Sequence, residues 1–370
     1  MKRASVAALP AIFVMAFLAL GYLWTARRAP VLTVATWSGT YGHAQTTAQI
    51  VPFARASGAD VRLAVYDGGT DELARQVASR KYDWDVADLE LPDAVAACDA
   101  GLLEPVDAAT LPAGAGGMPA ADDFVPGAIG RCWVASVVYS QVVAVAPVFF
   151  GDTAPAKLAD FFDVKRFVGK RALNRSSAKF TLEMALLADG AAPEEIYAVL
   201  STPQGVARAL AKLDTIRGDL VWYSNVDEAK RMLAENRAVF AAMPNWAVFD
   251  ADNRTPAALR KLNIIWDRQL YELEAFGIPR GDPRRKLASD FVRFATRTDN
   301  LAVMASWVPY GPARRSAGRR VGLNPDLRIA MAPYLPTSHF ETAFAVDDEW
   351  WRRHGAGIDA LWQAWLAKSR

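Results

Sequence analysis

Short apolar runs typical of buried strands alternate along this chain with longer stretches that have the spacing of helices. Strands are predicted at Val31–Ala35, Val61–Val65 and Asp85–Leu89, and helices at Ala44–Ala56, Asp71–Ser79 and Asp93–Ala100. This strict alternation predicts a mainly parallel sheet with helices on both faces. Thr70 is placed to cap the second of these helices.

A second set of strands and helices follows the long apolar run Cys132–Ala146. The strands are predicted at Arg171–Leu173, Ala238–Met243 and Glu272–Ile278, and the helices at Ser177–Ala188, Pro203–Leu213, Asp227–Glu235, Asp282–Arg297 and Asp348–Ala367. The fold class is therefore α/β with two lobes. Two extended crossings, Val137–Ala144 and Tyr271–Phe276, join the lobes and would allow them to close around a ligand by hinge motion.

The amino-terminal segment predicts export. Lys2 and Arg3 are followed by a stretch without charge, Ala4–Ala26, which is long enough to span a bilayer at ~20 residues. Small residues near its end favour a cleaved signal peptide, whereas the charged pair that follows, Arg27 and Arg28, favours a retained membrane anchor. Both interpretations place the rest of the chain in an oxidising compartment, the periplasm.

Charge and cysteine content narrow the function classes. A formal net charge of +2 over 370 residues gives no indication of a nucleic-acid partner. Cys98 and Cys132 are the only cysteines, and in an exported protein they are predicted to form a disulfide, the alternative being two unrelated buried thiols. No cluster of histidines and cysteines has the spacing of metal ligands, so neither a metal nor another cofactor is expected.

The segment Thr36–Gly42, TWSGTYG, holds the first candidate site residues. It follows the first predicted strand, and open α/β sheets bind ligands at the carboxyl ends of their strands. Trp37, Ser38 and Tyr41 bring an aromatic face, a hydroxyl and a phenol to that edge, which suits a small organic ligand with a polar head. The alternative is that Trp37 and Tyr41 only cover the core.

Six segments in sequence resemble a known family. They are VLTVATWSGTYGHAQ, WDVADLELPDAVAACDAGLLEPVD, FAAMPNWAVFDA, YELEAFGIPRG, WVPYGPARRSA and LPTSHFETAFAVDDEWW. Together they resemble the extracellular solute-binding proteins of ABC importers, in the spermidine/putrescine-binding group. The resemblance implies the two-lobed periplasmic-binding-protein fold of type 2, with a small amine-bearing solute as ligand and an inner-membrane ABC permease as partner. A monomer is expected.

The resemblance also implies a division of the chain. Residues 1–29 would be the signal peptide or anchor, 30–139 and 274–318 the first lobe, 140–273 the second lobe, and 319–370 a carboxy-terminal segment packed on the second lobe.

Ligand contacts are implied by the resemblance and by the residues themselves at ten positions. They are Trp37, Ser38, Tyr41, Glu90, Trp222, Asn245, Trp246, Glu274, Tyr310 and Trp351. The acidic pair that holds the far amine in polyamine binders is absent, since the chain reads Asn174-Arg175-Ser176-Ser177 there. The family's Trp-Asn-Gly turn is replaced by Pro244-Asn245-Trp246. These departures weigh against a long polyamine.

The two glutamates carry most of the expected ligand chemistry. A cationic amine needs carboxylates for its charge and aromatic faces for its methylenes. The alternative for Glu90 is an exposed loop acid, and for Glu274 an ion pair with Arg175 or Arg268. If Arg175 lines the cleft, the ligand carries a carboxylate as well.

Two other function classes compete with an importer component. An enzyme is not expected, because no glycine-rich phosphate loop or nucleophile elbow is present, although Glu90 and Glu274 would suit a glycosidase-like acid pair. A membrane-anchored sensor for another small solute, such as an amino acid or carboxylate, is the second alternative.

Overall fold

The computed structural model describes residues 29–146, 150, 153–254 and 261–368. The predicted signal peptide or anchor, residues 1–29, lies outside this range except for its last residue. In the part of the chain that is described, no helix combines the length and the apolar character needed to cross a membrane.

One mixed sheet runs through the described part of the chain. Its strands are β1 (Val31–Thr36), β2 (Asp60–Val65), β3 (Val86–Glu90), β4 (Val134–Val145), β5 (Arg171–Asn174), β6 (Leu220–Tyr223), β7 (Phe240–Pro244), β8 (Asn263–Gly277), β9 (Gly311–Pro312) and β10 (Phe344–Ala345). Their order is β2-β1-β3-β8-β4-β7-β5-β6, with β9 beside β4 and β10 beside β8.

Helices follow the strands along the chain, at the predicted positions and at others that the sequence reading did not include. They are α1 (Gly39–Gln45), α2 (Val51–Ser57), α3 (Asp71–Ser79), α4 (Leu91–Asp99), α5 (Ala120–Asp123), α6 (Thr181–Ala188), α7 (Ile196–Leu200), α8 (Pro203–Asp214), α9 (Val226–Ala234), α10 (Asn245–Asn253), α11 (Arg285–Ala295), α12 (Thr298–Trp307), α13 (Arg315–Gly318) and α14 (Asp348–Ala367). A π-helical turn, Thr46–Ile50, joins α1 to α2.

Two long strands connect the lobes, which confirms the predicted α/β fold with two crossings. At one side of the sheet β2, β1 and β3 are parallel, and at the other side β7, β5 and β6 are parallel. Between them β8 and β4 are antiparallel to each other and to their neighbours β3 and β7. The crossing strands therefore belong to both lobes, and any relative motion of the lobes must bend them.

Each lobe has its own apolar core. The first lobe packs side chains of β1, β3 and α11 against the first half of β4, and the second packs α6, α8 and β7 against its second half. The carboxy-terminal helix α14 contributes Trp350, Trp351, Trp362 and Trp365 to the core of the second lobe. The exact lobe boundaries remain predictions.

Helix ends and short elements differ most from the sequence expectations. Thr202 caps α8 by accepting a hydrogen bond from the Gly205 amide at 3.0 Å. The predicted Thr70 cap of α3 is wrong, because its side chain makes no capping hydrogen bond. The sequence reading also missed β6, α10 and α12. Apolar residues are distributed around α10 and α12, so neither has a strong helical periodicity.

The predicted disulfide is present. Cys98 near the end of α4 is bonded to Cys132, two residues before β4 begins, with Cα atoms 5.7 Å apart. Both cysteines are buried in the first lobe. The bond ties a surface helix to the entry of a crossing strand.

Candidate functional site

A cavity of about 450 Å³ lies between the lobes. Its wall is formed by the ends of β1 and β3, the start of α1, the crossing strands β4 and β8, one face of α10 and the segment before β9. The lining residues are Trp37, Ser38, Gly39, Thr40, Tyr41, Glu90, Tyr139, Trp246, Asp250, Arg254, Glu274, Val308, Pro309 and Tyr310.

Glycines shape the turn between β1 and α1. Gly39 has φ +70°, a left-handed conformation that glycine adopts at little cost. A Cβ atom on Gly42 would lie 2.5 Å from the Trp37 carbonyl oxygen, closer than contact allows. The helix therefore begins immediately after the strand, and Trp37, Ser38 and Tyr41 all reach the cavity wall.

Two glutamates form the acidic part of the cavity lining. Glu90 on β3 and Glu274 on β8 are directly opposite each other in the antiparallel register, which places their Cβ atoms about 5 Å apart. The indole Nε1 of Trp37 donates a hydrogen bond to Glu274 Oε2 at 3.1 Å. Glu90 forms no ion pair among the described residues, and the Lys179 ammonium offsets only part of the rise in its pKa. The pair is thus short of compensating positive charge.

The pKa values of this pair follow from burial and mutual repulsion. Burial raises the pKa of Glu90 to about 7, and the neighbouring Glu272 and Asp93 add to the shift. Burial also raises the pKa of Glu274 well above its usual range, with further contributions from Asp88 and Glu90. A ligand cation would remove the unfavourable charge that both shifts reflect.

A further buried acid lies behind the aromatic wall. The Tyr41 hydroxyl donates to Asp88 Oδ2 at 2.8 Å, and the Gln45 side-chain amide donates to the same oxygen. Burial raises the pKa of Asp88 to about 7. Tyr41 also packs edge-on against Tyr310, with ring centroids 5.3 Å apart. These contacts fix both tyrosine rings as rigid walls of the cavity.

Another part of the cavity wall is formed by one face of α10. Trp246, Asp250 and Arg254 follow one another at intervals of four residues and so share that face. Arg254 Nη1 donates to Thr40 Oγ1 at 3.1 Å, and its Nε is 3.6 Å from Asp250 Oδ1. Among the described residues that line the cavity, Arg254 is the only arginine or lysine. The lining therefore has an acidic part, formed by the two glutamates, and a part in which Arg254 is paired with Asp250.

Seven of the ten predicted contact residues line this cavity. They are Trp37, Ser38, Tyr41, Glu90, Trp246, Glu274 and Tyr310. The alternative partners proposed for Glu274, Arg175 and Arg268, are not its partners; its hydrogen bond comes from Trp37. Arg175, the residue expected to bind a ligand carboxylate, is not part of the lining. The arginine in the lining is Arg254.

The other three predicted contact residues have partners inside the protein. Asn245 is fully buried, donates to the carbonyls of Pro309 and Tyr334 at 2.6 and 3.1 Å, and accepts from the Ser140 amide at 3.0 Å. Its side chain thus holds the cavity wall at Pro309 in place rather than facing the cavity.

The two tryptophans in this group belong to the core of the second lobe. Trp222 packs edge-on against Trp362 and Trp365 of α14, with centroid distances of 5.8 and 6.0 Å. Trp351 donates from its Nε1 to Glu183 Oε1 at 2.5 Å. An aromatic-rich terminal helix is therefore used here for packing.

Four lining residues of evident chemistry were missed from the sequence: Thr40, Tyr139, Asp250 and Arg254. The spacing of Trp246, Asp250 and Arg254 is a signal that would have identified three residues of one helix face, had α10 been predicted. Tyr139 lay within a strand that was interpreted only as a crossing.

The described part of the chain offers no group of three or more histidine, cysteine, aspartate or glutamate residues that would hold a metal ion. The geometry is that of a reversible binding site for a small polar molecule.

Comparisons with known proteins by family, by sequence and by structure all find solute-binding proteins. The family described as bacterial extracellular solute-binding protein matches residues 48–332. A gamma-aminobutyric acid-binding protein of Pseudomonas aeruginosa is 36% identical over 337 residues, which cover 91% of each chain. The solved structure of the Atu4243–GABA receptor is 27% identical with a TM-score of 0.71, covering 90% of this chain and 97% of that one.

A spermidine/putrescine ABC transporter substrate-binding protein, PotD of Streptococcus pneumoniae, also has this fold. It is 14% identical with a TM-score of 0.69, and the match covers 91% of this chain and 99% of that one. At this identity the likeness extends to the fold alone.

Proposed function

The chain belongs to the bacterial extracellular solute-binding protein family, and from this premise we propose that its cavity binds a small zwitterion, an ω-amino acid of the 4-aminobutanoate class. The protein is the substrate-binding component of an ABC transporter and not an enzyme. The proposal concerns the ligand, which the periplasmic protein would deliver to its permease.

One observation carries the proposal: the cavity lining combines two carboxylates that form no ion pair among the described residues with a single guanidinium. Glu90 and Glu274 face each other across the β3–β8 ladder, and Arg254 approaches from α10. Buried charges need partners. A ligand ammonium would supply the cation that the two glutamates lack, and a ligand carboxylate would join Asp250 as a second partner of the solvent-accessible Arg254, whereas a polyamine would place positive charge beside Arg254.

The aromatic wall suits the apolar part of such a ligand. Trp37 is held by its hydrogen bond to Glu274 and by edge-on packing against Tyr66, with centroids 4.8 Å apart. Tyr41 and Tyr310 are fixed in the same way against each other. Rigid rings of this kind contact methylene groups at little entropic cost, and their faces attract an ammonium group.

Support also comes from the relative of 36% identity, which is named for gamma-aminobutyric acid. This ligand has one ammonium and one carboxylate separated by three methylenes. The Glu90–Glu274 pair would hold the ammonium. Arg254 would hold the carboxylate, which would replace Thr40 Oγ1 as an acceptor of an Arg254 hydrogen bond.

Three related probes separate the two parts of the cavity lining. Calorimetric titration of the purified protein would use 4-aminobutanoate, butylamine, which lacks the carboxylate, and butanoate, which lacks the ammonium. We expect Glu274→Gln to weaken 4-aminobutanoate and butylamine binding by about 2–5 kcal/mol and to spare butanoate. Arg254→Met should weaken the binding of 4-aminobutanoate and of butanoate by roughly 1–3 kcal/mol and leave butylamine binding unchanged.

Matched surface variants serve as controls. Glu235 and Arg237 form an exposed ion pair away from the cavity, so Glu235→Gln and Arg237→Met should bind all three probes as the wild type does. The proposal fails if the folded wild-type protein binds no 4-aminobutanoate at millimolar concentration, or if neither cavity variant changes its affinity.

A further inference from the structure

A third carboxylate continues the acidic row along β8. Glu272 and Glu274 are two residues apart on one strand, so they point to the same face at a spacing of about 7 Å. Glu272 lies opposite Tyr139 on β4, and the Tyr139 hydroxyl, at the cavity wall, donates a hydrogen bond to it. Glu272 is therefore linked by one hydrogen bond to a residue of the cavity lining.

Unlike its two neighbours, Glu272 has a cation supplied by the chain itself. The Lys179 ammonium forms an ion pair with Glu272, and its Nζ lies 2.7 Å from Asp348 Oδ1 on α14. The Lys179 side chain is 19% exposed, while those of Glu272 and Asp348 are 3% and 2% exposed. Lys179, which precedes α6 in the second lobe, thus pairs with the acid bonded to Tyr139 and with Asp348.

The contrast between the acids has a consequence for ligand choice. Among the described residues Glu90 and Glu274 form no ion pair, whereas Glu272 and Asp348 share the Lys179 ammonium. We propose that Lys179 is a specificity-determining residue whose ammonium occupies the position that a second ligand ammonium would take, and that it restricts the cavity to ligands with one ammonium group. The inference deepens the proposed function and rests on it for the first ammonium.

Geometry makes a diamine the natural probe. The step from Glu274 to Glu272 is about the two-residue repeat of a strand, ~7 Å, which is close to the reach of two nitrogens joined by four methylenes. With Lys179 removed, the far ammonium of 1,4-diaminobutane would bind Glu272 by replacing the Tyr139 hydroxyl as its donor. With Lys179 present, the same ammonium meets a like charge.

The test exchanges this internal cation for a neutral side chain. Lys179→Met leaves two buried carboxylates without a partner and so reduces stability. The double variant Lys179→Met/Asp348→Asn therefore accompanies it, because it keeps the net charge that the wild-type trio of Lys179, Glu272 and Asp348 has. We expect the affinity for 1,4-diaminobutane to rise about tenfold or more in the double variant, measured by calorimetry on protein shown to be folded by circular dichroism.

Two further variants define how the gain arises. Adding Glu272→Gln to the double variant should abolish it, because the accepting carboxylate is lost. Lys170→Met removes a surface lysine that is paired with Asp219 and should leave diamine affinity at the wild-type level. Unchanged diamine affinity in the folded double variant, or a gain that survives Glu272→Gln, would overturn the inference.

The same titrations separate this inference from the proposed function. A wild-type protein that fails to bind 4-aminobutanoate contradicts the proposed function, while a diamine gain in the double variant would still support the role of Lys179. Conversely, normal 4-aminobutanoate binding with no diamine gain contradicts only the role of Lys179.

Discussion

Trp37 combines two roles in the cavity, and both are separable by substitution. Its ring forms part of the wall and its Nε1 donates to Glu274. Trp37→Phe retains an aromatic ring but removes the donor, so Glu274 becomes more costly to ionise. We expect a loss of about 0.5–2 kcal/mol in binding of 4-aminobutanoate. Trp37→Ala removes both and should cost roughly 1–3 kcal/mol.

Calorimetry on the two Trp37 variants checks this order. Trp84→Phe is the control, since Trp84 packs against Tyr66 from outside the cavity lining. Equal affinity of wild type and Trp37→Ala would show that the ring does not contact the ligand.

Glu90 gives the protein a pH dependence of opposite sign for stability and for binding. Burial raises its pKa from 4.5 to about 7, so between these values the folded, ligand-free protein holds a proton that the unfolded chain releases. The stabilisation is complete below about pH 4.5 and is lost as pH rises through 7. A ligand ammonium favours the ionised carboxylate, so affinity should increase over the same range with release of a proton.

Glu90→Gln isolates this contribution, because Asp88 and Glu183 also have pKa values of about 7. Denaturant unfolding of the ligand-free protein at pH 5 and pH 7 should show a smaller stability loss in Glu90→Gln than in wild type. Calorimetry in buffers of different ionisation enthalpy measures the proton released. A wild-type affinity that is independent of pH from 5 to 8 would contradict the prediction.

At this scale the sequence predicted residue types better than contacts. Trp37 and Tyr41 were identified because their motif follows a strand, and Glu274 because an acid lies in an apolar strand. That Glu90 and Glu274 are directly opposed depends on the register of β3 and β8, which are far apart in sequence. Register is set by tertiary packing, so no local pattern contains this information.

Among the secondary-structure elements, the disulfide is the clearest determinant of stability. It closes a sequence separation of 34 residues between α4 and β4. Replacing both cysteines by alanine should lower the free energy of unfolding by about 2–4 kcal/mol, chiefly because the unfolded chain gains freedom. Denaturant titration measures this loss.

Ligand affinity of the alanine double variant should change little, because neither cysteine lines the cavity. Wild-type protein treated with a reductant should lose the same stability as the double variant. Two free thiols in the untreated, exported protein, seen by mass spectrometry, would contradict the bond.

Elements with one apolar face were predicted well and those buried on several sides were not. The bounds of α3 and α14 agree with the prediction, since each has polar residues along its exposed face. By contrast α10 was missed, although it presents Trp246, Asp250 and Arg254 to the cavity. A helix that contacts a core on one side and a ligand cavity on the other has no polar stripe to reveal its period.

For the molecule as a whole, the sequence segments led to the correct family and fold. The narrower assignment to the spermidine/putrescine group is not supported, because the relative of 36% identity is named for gamma-aminobutyric acid and PotD shares 14% identity. The reason is that the motifs report the two-lobed scaffold, whereas ligand choice in such a scaffold depends on a few side chains, which we propose to be Glu90, Glu274, Arg254 and Lys179.

Closure of the lobes is expected to accompany binding. Arg254 of α10, in the second lobe, donates to Thr40 of the first lobe at 3.1 Å, so the part of the cavity wall that contains Arg254 already spans the cleft. A zwitterion held by Glu274 and Arg254 would add contacts between the lobes and favour the closed form, because a ligand shifts the equilibrium towards the state that binds it better. The crossing strands β4 and β8 would bend to allow this motion.

Small-angle scattering measures the change directly. The radius of gyration should fall when 4-aminobutanoate saturates the wild-type protein, and butylamine, which cannot engage Arg254, should produce a smaller decrease. Thr40→Val removes the acceptor of the Arg254 hydrogen bond without altering the acidic pair, so it should open the ligand-free protein and leave the saturated profile close to that of the wild type. Identical profiles with and without saturating 4-aminobutanoate would exclude closure, because the two lobes form most of the mass of the molecule and a rotation between them must change its overall dimensions.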